Sequence, residues 1–255
     1  MTLAAPPLFS VITVVRNRAA TIGQAAASLA AQSCGDYEHI VQDGASRDGT
    51  LAVLKAISDP RMRLLSEPDG GIYDGLNRAL ARASGQIIGL LHSDDFYAHP
   101  SVLEQVARRF EATGADAVYG DLDYVSAADP AKIVRRWRSG HFTPRALRRG
   151  WMPPHPALFL RRSVIEQWGG YDPAFQIAAD YDTILRYFGT GGITAAYLPE
   201  VLVKMRLGGA SNRSLARIIR KSREDYRALR KNGVGGLGTL LCKNLRKLAQ
   251  FIPAG

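Results

Sequence analysis

Cysteine is scarce in this chain of 255 residues, which contains only Cys34 and Cys242. Their spacing fits neither a metal site nor a redox motif, so we expect two free thiols in a reducing, cytoplasmic setting. The chain does not open with a charged segment and a long apolar core, and no apolar run approaches the roughly 18 residues that cross a bilayer. We therefore expect neither a signal peptide nor a transmembrane helix.

Glycine-rich phosphate loops are also missing. No Gly-x-Gly-x-x-Gly follows the first predicted strand, which disfavours a dinucleotide-binding Rossmann domain, and no Walker P-loop occurs. Strands and helices nevertheless alternate, which predicts an α/β fold with a mostly parallel central sheet and helices on both faces.

The predicted strands cover residues 9–15, 39–42, 63–65, 87–91, 116–120, 158–160, 195–198 and 201–203. The predicted helices cover residues 21–31, 51–57, 72–83, 102–112, 164–167 and 178–188. Residues 132–162 are predicted to be largely irregular before the strand at 158–160, because three prolines fall within residues 153–156.

Acidic and basic residues are unevenly distributed along the chain, whose net charge is +10. Residues 1–131 contain 10 Lys and Arg against 16 Asp and Glu, whereas residues 132–162 contain 9 basic residues and no acidic one. Residues 204–247 contain 13 basic and 2 acidic residues. This asymmetry predicts an anionic partner, which could be nucleic acid, a phosphate group or a membrane surface.

The stretch around which the sequence is organised is the apolar strand 87–91 followed by His92, Ser93, Asp94 and Asp95. Two adjacent carboxylates repel each other unless a cation lies between them, and ligands of open α/β sheets bind at this end of the strands. Carboxylate oxygens suit Mg²⁺ or Mn²⁺ bridging to substrate phosphates. The alternative is a solvated turn that caps a helix. Polar turns end the other predicted strands too, which favours a nucleotide-binding cleft.

The last part of the chain predicts two basic amphipathic helices, one before Asn232–Gly233 and one after it. The second has an apolar stripe, made of Leu237, Leu240, Leu241, Leu245, Leu248 and Ile252. Such helices lie in a membrane interface or pack as a hairpin on their own domain, and the sequence leaves both interpretations open.

Several motifs together make the chain resemble a family-2-type glycosyltransferase of the GT-A fold, in the bacterial subgroup that builds exopolysaccharide, colanic-acid-like and O-antigen chains. The motifs are residues 10–17, 41–50, 67–77, 92–95, and 179–182 with 185–186. The resemblance implies a GT-A domain over residues 1–211, with a nucleotide-sugar half at about 9–123 and an acceptor half at about 124–211. Residues 212–255 form a tail outside it.

The resemblance implies a nucleotide-diphosphate-sugar donor and a divalent metal, Mn²⁺ or Mg²⁺. It assigns the metal to Asp95, with serine at position 93 where the family usually has an acid. The residues that it assigns to the nucleotide or donor are Thr13, Val15, Asn17, Asp43, Gly44, Ser46, Asp74, Asn77, Ser93 and Asp94. His92 is expected to pack in the core. The glycine-rich stretch 208–211 is expected to close over the diphosphate.

The resemblance also implies the reaction. The catalytic base is expected to be Asp180, with Asp182 as the second candidate, and a single base fits inversion at the anomeric carbon. His155, in a Pro-x-His motif, is expected on the acceptor or diphosphate side. The acceptor is expected to be an oligosaccharide or polyprenyl-diphosphate-linked glycan at the cytoplasmic membrane face, which the basic tail would contact.

Three other functions were weighed. A sugar nucleotidyltransferase needs a glycine-rich loop with an Arg-Lys pair after the first strand, where residues 16–20 read Arg-Asn-Arg-Ala-Ala. A nucleic-acid-binding protein would interleave aromatic and basic residues, but Tyr226 and Phe251 are the tail's only aromatics, so no nucleic-acid partner is expected. A non-catalytic relative that binds a nucleotide sugar stays open, because Ser93 replaces an acid.

Overall fold

The computed structural model describes residues 5–207 and 215–249. The strands are β1 (Phe9–Val15), β2 (Tyr37–Asp43), β3 (Met62–Ser66), β4 (Ile87–Leu90), β5 (Phe96–Tyr97), β6 (Ala117–Val125), β7 (Ile133–Trp137), β8 (Leu158–Arg161) and β9 (Ala195–Arg206). The predicted glycine-rich loop at 208–211 lies outside the described residues, as do the end of the tail and part of its start.

The helices are α1 (Ala19–Ala30), α2 (Thr50–Ala56), α3 (Ile72–Arg82), α4 (Val102–Thr113), α5 (Pro144–Arg148), α6 (Arg162–Trp168), α7 (Ala179–Leu185), α8 (Leu215–Lys231) and α9 (Leu237–Ala249). A 3₁₀ turn at His155–Ala157 precedes β8, and a π-helical turn at Arg186–Thr190 follows α7. None of the helices in these ranges is long and apolar enough to cross a bilayer.

One sheet runs through the molecule in the order β3-β2-β1-β4-β8-β6-β9-β5, and β7 pairs with β6 beside β8. Strands β1 to β4 pair in parallel, as do β6 and β9, whereas β5, β7 and β8 run antiparallel to their neighbours. The predicted α/β fold is confirmed, and the sheet is mixed rather than parallel throughout.

Two apolar layers cover the two faces of this sheet. Helices α1, α2 and α4 bury Ile22, Leu54 and Val106 against one face. Helices α3, α6 and α7 bury their apolar side chains, among them Leu76 and Ile184, against the other. The central strands are buried on both faces, which explains why β4 reads as a continuous apolar run and β1 as a largely apolar one.

Several predicted boundaries were wrong. Strand β6 continues through Asp121 and Asp123, which were expected to follow it, because both carboxylates are paired within the sheet region by Arg138. The two strands expected at 195–203 are one strand, β9. Residues 132–157 contain β7 and α5, and α5 begins because Thr143 caps it, with Pro144 at its first position. The two-residue strand β5 was not predicted.

The tail helices are present, as predicted, and both dock on the domain. Helix α8 packs on α7, where Ala228 and Leu229 join the core layer, and α9 packs on α8. Thr239 of α9 donates a hydrogen bond to the carbonyl oxygen of Arg148, at 2.9 Å. The boundary predicted at 211–212 therefore separates segments that are in contact.

Candidate functional site

An open cleft of about 420 Å³ lies where β1 and β4 end, at one edge of the sheet. It is lined by residues 14–16 and Arg18 after β1, by Asp69 and residues 71–73 at the start of α3, and by residues 92–95 after β4. Gln176 and Ile177 before α7, Met205 of β9 and Arg217 of α8 complete it. The strand ends predicted to converge therefore do meet.

The deepest acid of this cleft is Asp95, which is 1% exposed. Its Oδ1 accepts a backbone hydrogen bond from Arg206 at 3.3 Å, whereas Oδ2 is buried and has no hydrogen-bond partner in the described part of the chain. Burial, and then the charge of Asp94, raise the pKa of Asp95 well above the ordinary value. A cation beside Asp95 would remove this penalty.

The donor set at this point fits a divalent cation only in part. Among residues 5–207 and 215–249 no group of three or more His, Cys, Asp or Glu side chains is arranged to hold a metal ion. Asp94 and Asp95 are the two acids of the cleft end, and the unpartnered Oδ2 of Asp95 is an available oxygen ligand. Mg²⁺-type ions typically take one or two carboxylates and complete their shell with water and substrate phosphates. The residues therefore fit a metal that arrives with a diphosphate.

Arginines surround the same acids. The Nε of Arg18 lies 3.9 Å from Asp94 Oδ2, and Arg206 donates to the Asp94 carbonyl oxygen at 2.7 Å. The guanidinium of Arg206 also lies over the Phe96 ring and donates to Gln24, so its orientation is fixed from several sides. Arg217 reaches the cleft from α8, a helix that the sequence placed outside the site.

A second unpartnered carboxylate oxygen lies at the end of β2. Asp43 is fully buried, and its Oδ2 accepts hydrogen bonds from Ser46 N at 3.0 Å and Ser66 Oγ at 2.6 Å. Its Oδ1 has no partner within the described ranges. Ser46 in turn accepts from the Asn17 backbone at 2.8 Å, so the ends of β1 and β2 are joined.

Backbone geometry at these strand ends is unusual. Asn17 and Ala45 are non-glycine residues with φ of 54° and 56°, in the left-handed region. Strain of this kind concentrates at ligand sites. At Gly44 a Cβ would lie 2.6 Å from Asp69 Oδ2, so glycine at this position lets the Asp69 carboxylate of the cleft approach the backbone.

Three residues predicted to contact the donor make structural bonds within the protein. The Thr13 hydroxyl is buried, donates to the Leu91 carbonyl oxygen at 2.8 Å and bonds His39 at 2.9 Å, so it ties β1 to β4 and β2. Asp74 pairs with Arg78 on α3, at 3.0 Å. Asn77 exchanges two 2.8 Å hydrogen bonds with the backbone of Tyr171. These three side chains are occupied by structural bonds. Like the other predicted donor residues Asn17, Asp43, Gly44 and Ser46, they are not among the residues that line the cleft, and their donor contacts stay predictions.

The predicted base, Asp180, begins α7 next to the cleft wall. Its Oδ1 accepts from the Tyr181 backbone at 2.8 Å and lies 3.4 Å from the hydroxyl of Tyr73, which lines the cleft. Tyr73 donates to the Ile177 carbonyl oxygen at 2.7 Å and stacks on Tyr171. Oδ2 of Asp180 takes part in neither of these contacts.

Asp182, the second candidate base, is a structural residue. It is fully buried, and its carboxylate accepts from Lys231 at 3.1 Å and from Asn232 at 2.9 Å. Arg186 lies 3.8 Å away. Because these cations and the amide occupy both oxygens, Asp182 joins α7 to the end of α8, and its assignment as a base is not supported.

Two histidines, His92 and His155, lie close together near the cleft. His92 lines the cleft instead of packing in the core, and burial lowers its pKa. His155 is buried, bonds the Tyr171 hydroxyl at 2.8 Å and lies with its ring 6.2 Å from that of His92. Burial lowers the pKa of His155 to about 4, so it is neutral near pH 7. Its predicted contact with acceptor or diphosphate stays a prediction.

Several cleft residues were not assigned from the sequence, among them Arg18, Asp69, Tyr73, Gln176 and Arg217. Asp69 and Tyr73 lie inside the motif at residues 67–77, and this motif was the available signal. Gln176 and Arg217 had none, because their approach depends on how α8 packs.

Solved structures of other proteins share this architecture. Staphylococcus aureus TarS, as a fragment of residues 1–349 in complex with UDP-GlcNAc, superposes with a TM-score of 0.68 at 17% identity, over 89% of this chain and 65% of that one. Mannosyltransferase PcManGT from Pyrobaculum calidifontis, in complex with GDP-Man and Mn²⁺, gives 0.66 at 21% identity, over 93% and 69%. The chain spans 39% of the longer TarS chain. The fold is that of the GT-A glycosyltransferases.

Relatives found by sequence are more nearly identical to this chain than these solved structures are. An uncharacterized glycosyltransferase of Mycobacterium tuberculosis is 34% identical over 194 residues, 72% of this chain and 70% of the relative. A PGL/p-HBAD biosynthesis glycosyltransferase of Mycobacterium bovis is 30% identical over 82% of this chain and 80% of its own length. The succinoglycan biosynthesis protein ExoO of Rhizobium meliloti is 30% identical over 73% and 57%. Residues 10–169 match the model of glycosyl transferase family 2, and the chain belongs to this family.

Proposed function

We propose that this chain transfers a sugar from a nucleotide diphosphate to a hydroxyl of a polyprenyl-diphosphate-linked glycan, with inversion at the anomeric carbon. One observation carries the proposal. Asp43 Oδ1 and Asp95 Oδ2 are buried carboxylate oxygens without partners in the described chain, and they follow the two strands that flank β1. Unsatisfied buried acceptors are costly, and a bound donor would satisfy Asp43 while the cation that accompanies it would satisfy Asp95.

The donor would lie across the ends of β2, β1 and β4. Asp43 Oδ1 would accept an N–H of the nucleotide base, since Oδ2 already accepts from Ser46 and Ser66. The diphosphate would then reach Arg16 and Arg18 after β1, with Arg217 opposite. The complexes of two solved neighbours, with UDP-GlcNAc and with GDP-Man and Mn²⁺, support a nucleotide-sugar donor for this chain.

Asp95 Oδ2 would hold a divalent cation, Mn²⁺ or Mg²⁺, with Asp94 beside it. Such an ion, when bound, neutralises the charge that builds up on the leaving diphosphate. The chain contributes the rest of the neutralisation through Arg18 and Arg206, which already contact Asp94. Because Ser93 stands where the family usually has an acid, Asp94 and Asp95 together carry a charge of at most −2.

Asp180 would act as the general base. Because its Oδ1 is held by the Tyr181 N–H, Oδ2 would take the proton of the acceptor hydroxyl. The acceptor oxygen forms a bond to the anomeric carbon while the bond to the diphosphate oxygen breaks, and the nucleotide diphosphate leaves with the electron pair. A single displacement inverts the configuration, and no second carboxylate is needed as a nucleophile.

A glycan acceptor fits the named roles of two relatives. Two relatives are named for PGL/p-HBAD and succinoglycan biosynthesis, which supports a role in glycan assembly. The free thiols of Cys34 and Cys242 support a reducing, cytoplasmic location for the reaction. His155 and Tyr171, bonded to each other beside His92, would form the acceptor side of the site.

The proposal is tested by measuring nucleoside diphosphate release from a panel of UDP- and GDP-sugars, with a polyprenyl-diphosphate glycan as acceptor. Mn²⁺ should support turnover of one donor and a chelator should stop it. The product's anomeric configuration, read by NMR coupling constants, should be opposite to the donor's. Donor binding without turnover on any acceptor would support a non-catalytic nucleotide-sugar-binding relative instead.

A further inference from the structure

Helix α9 is docked on the domain by its polar side. Lys243 is only 2% exposed, and its Nζ lies 2.8 Å from Asp225 Oδ2 and 3.2 Å from the centre of the Tyr181 ring. The backbone of Lys243 also comes so close to Gly150 that a Cβ on that glycine would lie 2.4 Å from the Lys243 nitrogen. The docked face is therefore fixed by a buried ion pair and a tight backbone contact.

Leu240 of the same helix packs against the core, but three other leucines point the other way. Leu237, Leu241 and Leu245 are 71%, 61% and 54% exposed. Their spacing of four residues places them on one stripe. At about 100° per residue, the central leucine, Leu241, lies about 160° around the helix axis from Lys243. An amphipathic helix in water normally buries such a stripe and exposes its lysine. Here the arrangement is reversed.

Helix α8 adds apolar and basic side chains to the exposed side. Ile219 and Tyr226 are exposed there at 54% and 36%. Arg223 and Arg230 are exposed and fall on the same side of the helix by its 3.6-residue period. The only two acids of α8 are engaged elsewhere: Asp225 is buried and Glu224 bonds the loop before α7. In the described part of the chain, α8 and α9 thus each expose apolar side chains, and this face of α8 carries positive charge only.

We infer that this surface, defined by Leu237, Leu241, Leu245, Arg223 and Arg230, docks on the headgroup region of an anionic lipid bilayer. Leucines insert at the acyl boundary while arginines meet lipid phosphates, which is how interfacial helices bind. A second copy of this chain would bring like charges together. Nucleic acid would match the arginines but not the aliphatic stripe. The inference needs no assumption about sugar transfer.

The test is flotation of the full chain with vesicles of phosphatidylcholine alone or with phosphatidylglycerol, at two salt concentrations. Wild type should bind the anionic vesicles, and less well at high salt. The variant with Leu237→Ser, Leu241→Ser and Leu245→Ser should bind at least about tenfold more weakly. The variant with Arg223→Gln and Arg230→Gln should lose about 20-fold on anionic vesicles only.

Matched controls alter exposed residues elsewhere. Leu65→Ser with Ile133→Ser and Val134→Ser removes three exposed apolar side chains, and Lys55→Gln with Arg108→Gln removes two charges. Both controls should bind like wild type. Equal binding by the leucine variant overturns the inference, as does an absence of vesicle binding by wild type. A dimer that the leucine variant dissociates, or RNA binding lost in the arginine variant without vesicle binding, also overturns it.

A separate observation concerns Glu224 of α8. Its Oε2 accepts hydrogen bonds from three consecutive backbone N–H groups, those of Gln176, Ile177 and Ala178, at 3.1, 2.8 and 3.0 Å. Gln176 and Ile177 line the cleft, and Ala178 immediately precedes α7, which carries Asp180. One carboxylate from the tail therefore fixes the cleft wall and the start of the helix with the proposed base.

We propose that Glu224 is a positioning residue for Asp180, an inference that rests on the proposed function. Glu224→Ala should lower kcat at least about tenfold with KM for the donor changed less, because the loop moves without losing donor contacts. Glu224→Gln keeps an acceptor oxygen and should retain most activity. The exposed Glu111→Ala is the control.

Hydrogen exchange distinguishes a failure of the positioning role from a failure of the proposed function. In Glu224→Ala the amides of residues 176–178 should exchange at least about tenfold faster than in wild type, whatever reaction the protein catalyses. Faster exchange with unchanged kcat overturns the positioning role but not the contact. Unchanged exchange overturns the inference itself. If wild type turns over no donor while exchange responds, the proposed function has failed instead.

Discussion

At the scale of single residues, three aspartates of the region differ in what surrounds them. Asp95 is buried beside another acid with one oxygen unpaired. Asp180 is held by one backbone N–H at a helix start, and Asp182 is enclosed by Lys231, Asn232 and Arg186. These surroundings leave Asp95 with an oxygen that can bind a cation and Asp180 with an oxygen that can accept a proton. Asp182, in contrast, is a structural residue.

Asp95→Asn should abolish metal-supported donor turnover without destabilising the free protein. The substitution removes a buried, uncompensated carboxylate whose pKa is raised by burial and by Asp94, so the melting temperature should stay level or rise. Turnover should fall by at least about 100-fold, which corresponds to about 2.7 kcal/mol of transition-state stabilisation. Thermal unfolding and donor assays check both parts, and a fall of the melting temperature with turnover retained would contradict the assignment.

Asp180→Asn and Asp182→Ala should separate catalysis from stability. Asp180→Asn should unfold like wild type yet lose activity about 100-fold or more, since the acceptor proton has no base. Asp182→Ala should lower the free energy of unfolding by about 2 kcal/mol, because the amide of Asn232 and the Lys231 ammonium lose their acceptors. Urea unfolding and kinetics on both variants give the comparison. The reverse pattern would mean that the two roles are exchanged.

At the scale of elements, α3 holds the segment that follows α6. The side chain of Asn77 and the backbone of Tyr171 exchange two hydrogen bonds, and Tyr171 carries both the Tyr73 stack and the His155 bond. One side chain thus connects α3 to the aromatic wall of the site. The connection explains why a residue in a family motif can lie outside the cleft.

Asn77→Ala should therefore act through stability first. It should lower the free energy of unfolding by about 1–3 kcal/mol, since two buried backbone groups lose partners, and change the donor dissociation constant by less than about threefold. Chemical denaturation and calorimetric titration of donor measure the two quantities. Asp74→Ala, which removes the exposed Arg78 pair and an exposed hydrogen bond from the Gly70 N–H, is the control and should change stability by less than about 1 kcal/mol. Loss of donor affinity in Asn77→Ala at unchanged stability would restore a direct donor contact.

Some elements could be predicted from the sequence and others could not, for physical reasons. β1 and β4 could be predicted because they are buried on both faces. The turns after them could be predicted because each places polar residues directly after a strand. β5 is two residues long, and β7 has exposed and half-buried residues with no strong alternation, so neither gives a periodic signal. The cleft's acids followed from strand ends. Glu224 and Arg217 did not, because only the packing of α8 brings them to the site.

At the scale of the whole molecule, buried histidines make stability depend on pH. His39 is buried between β1 and β2, bonds Thr13 at 2.9 Å, and has a pKa lowered by burial to about 4. Between pH 6.5 and pH 4 the His39 imidazole binds a proton in the unfolded chain but not in the folded protein. Stability is therefore full above the unfolded pKa and is lost as the pH falls through this window. His155 adds to it, with its pKa also lowered to about 4.

His39→Gln should flatten this dependence while keeping a hydrogen-bonding partner for Thr13. The slope of unfolding free energy against pH between 4 and 6.5 should decrease by up to about 1.4 kcal/mol per pH unit. Denaturant unfolding at a series of pH values measures the slope. His141→Gln, at an exposed ring, is the matched control and should leave it unchanged. An equal slope in His39→Gln and wild type would exclude His39 as a source of acid sensitivity.

The same scale links the tail to the domain. The family model matches residues 10–169, yet α8 lines the cleft through Arg217 and fixes its wall through Glu224, and α9 is anchored by Lys243. The exposed side of the two helices is the surface inferred to meet lipid. Donor site, base helix and lipid-facing surface are therefore connected through α7 and α8, which would hold the cleft at a fixed height above a bilayer.

The most direct test of the central claim is a crystal structure of the protein with a nucleoside diphosphate and Mn²⁺. The account predicts the base bonded to Asp43 Oδ1, the diphosphate in the cleft near Arg18, and the metal bridging the diphosphate to Asp95 Oδ2. A nucleotide bound away from the ends of β1, β2 and β4, or a metal that does not touch Asp95, would contradict it.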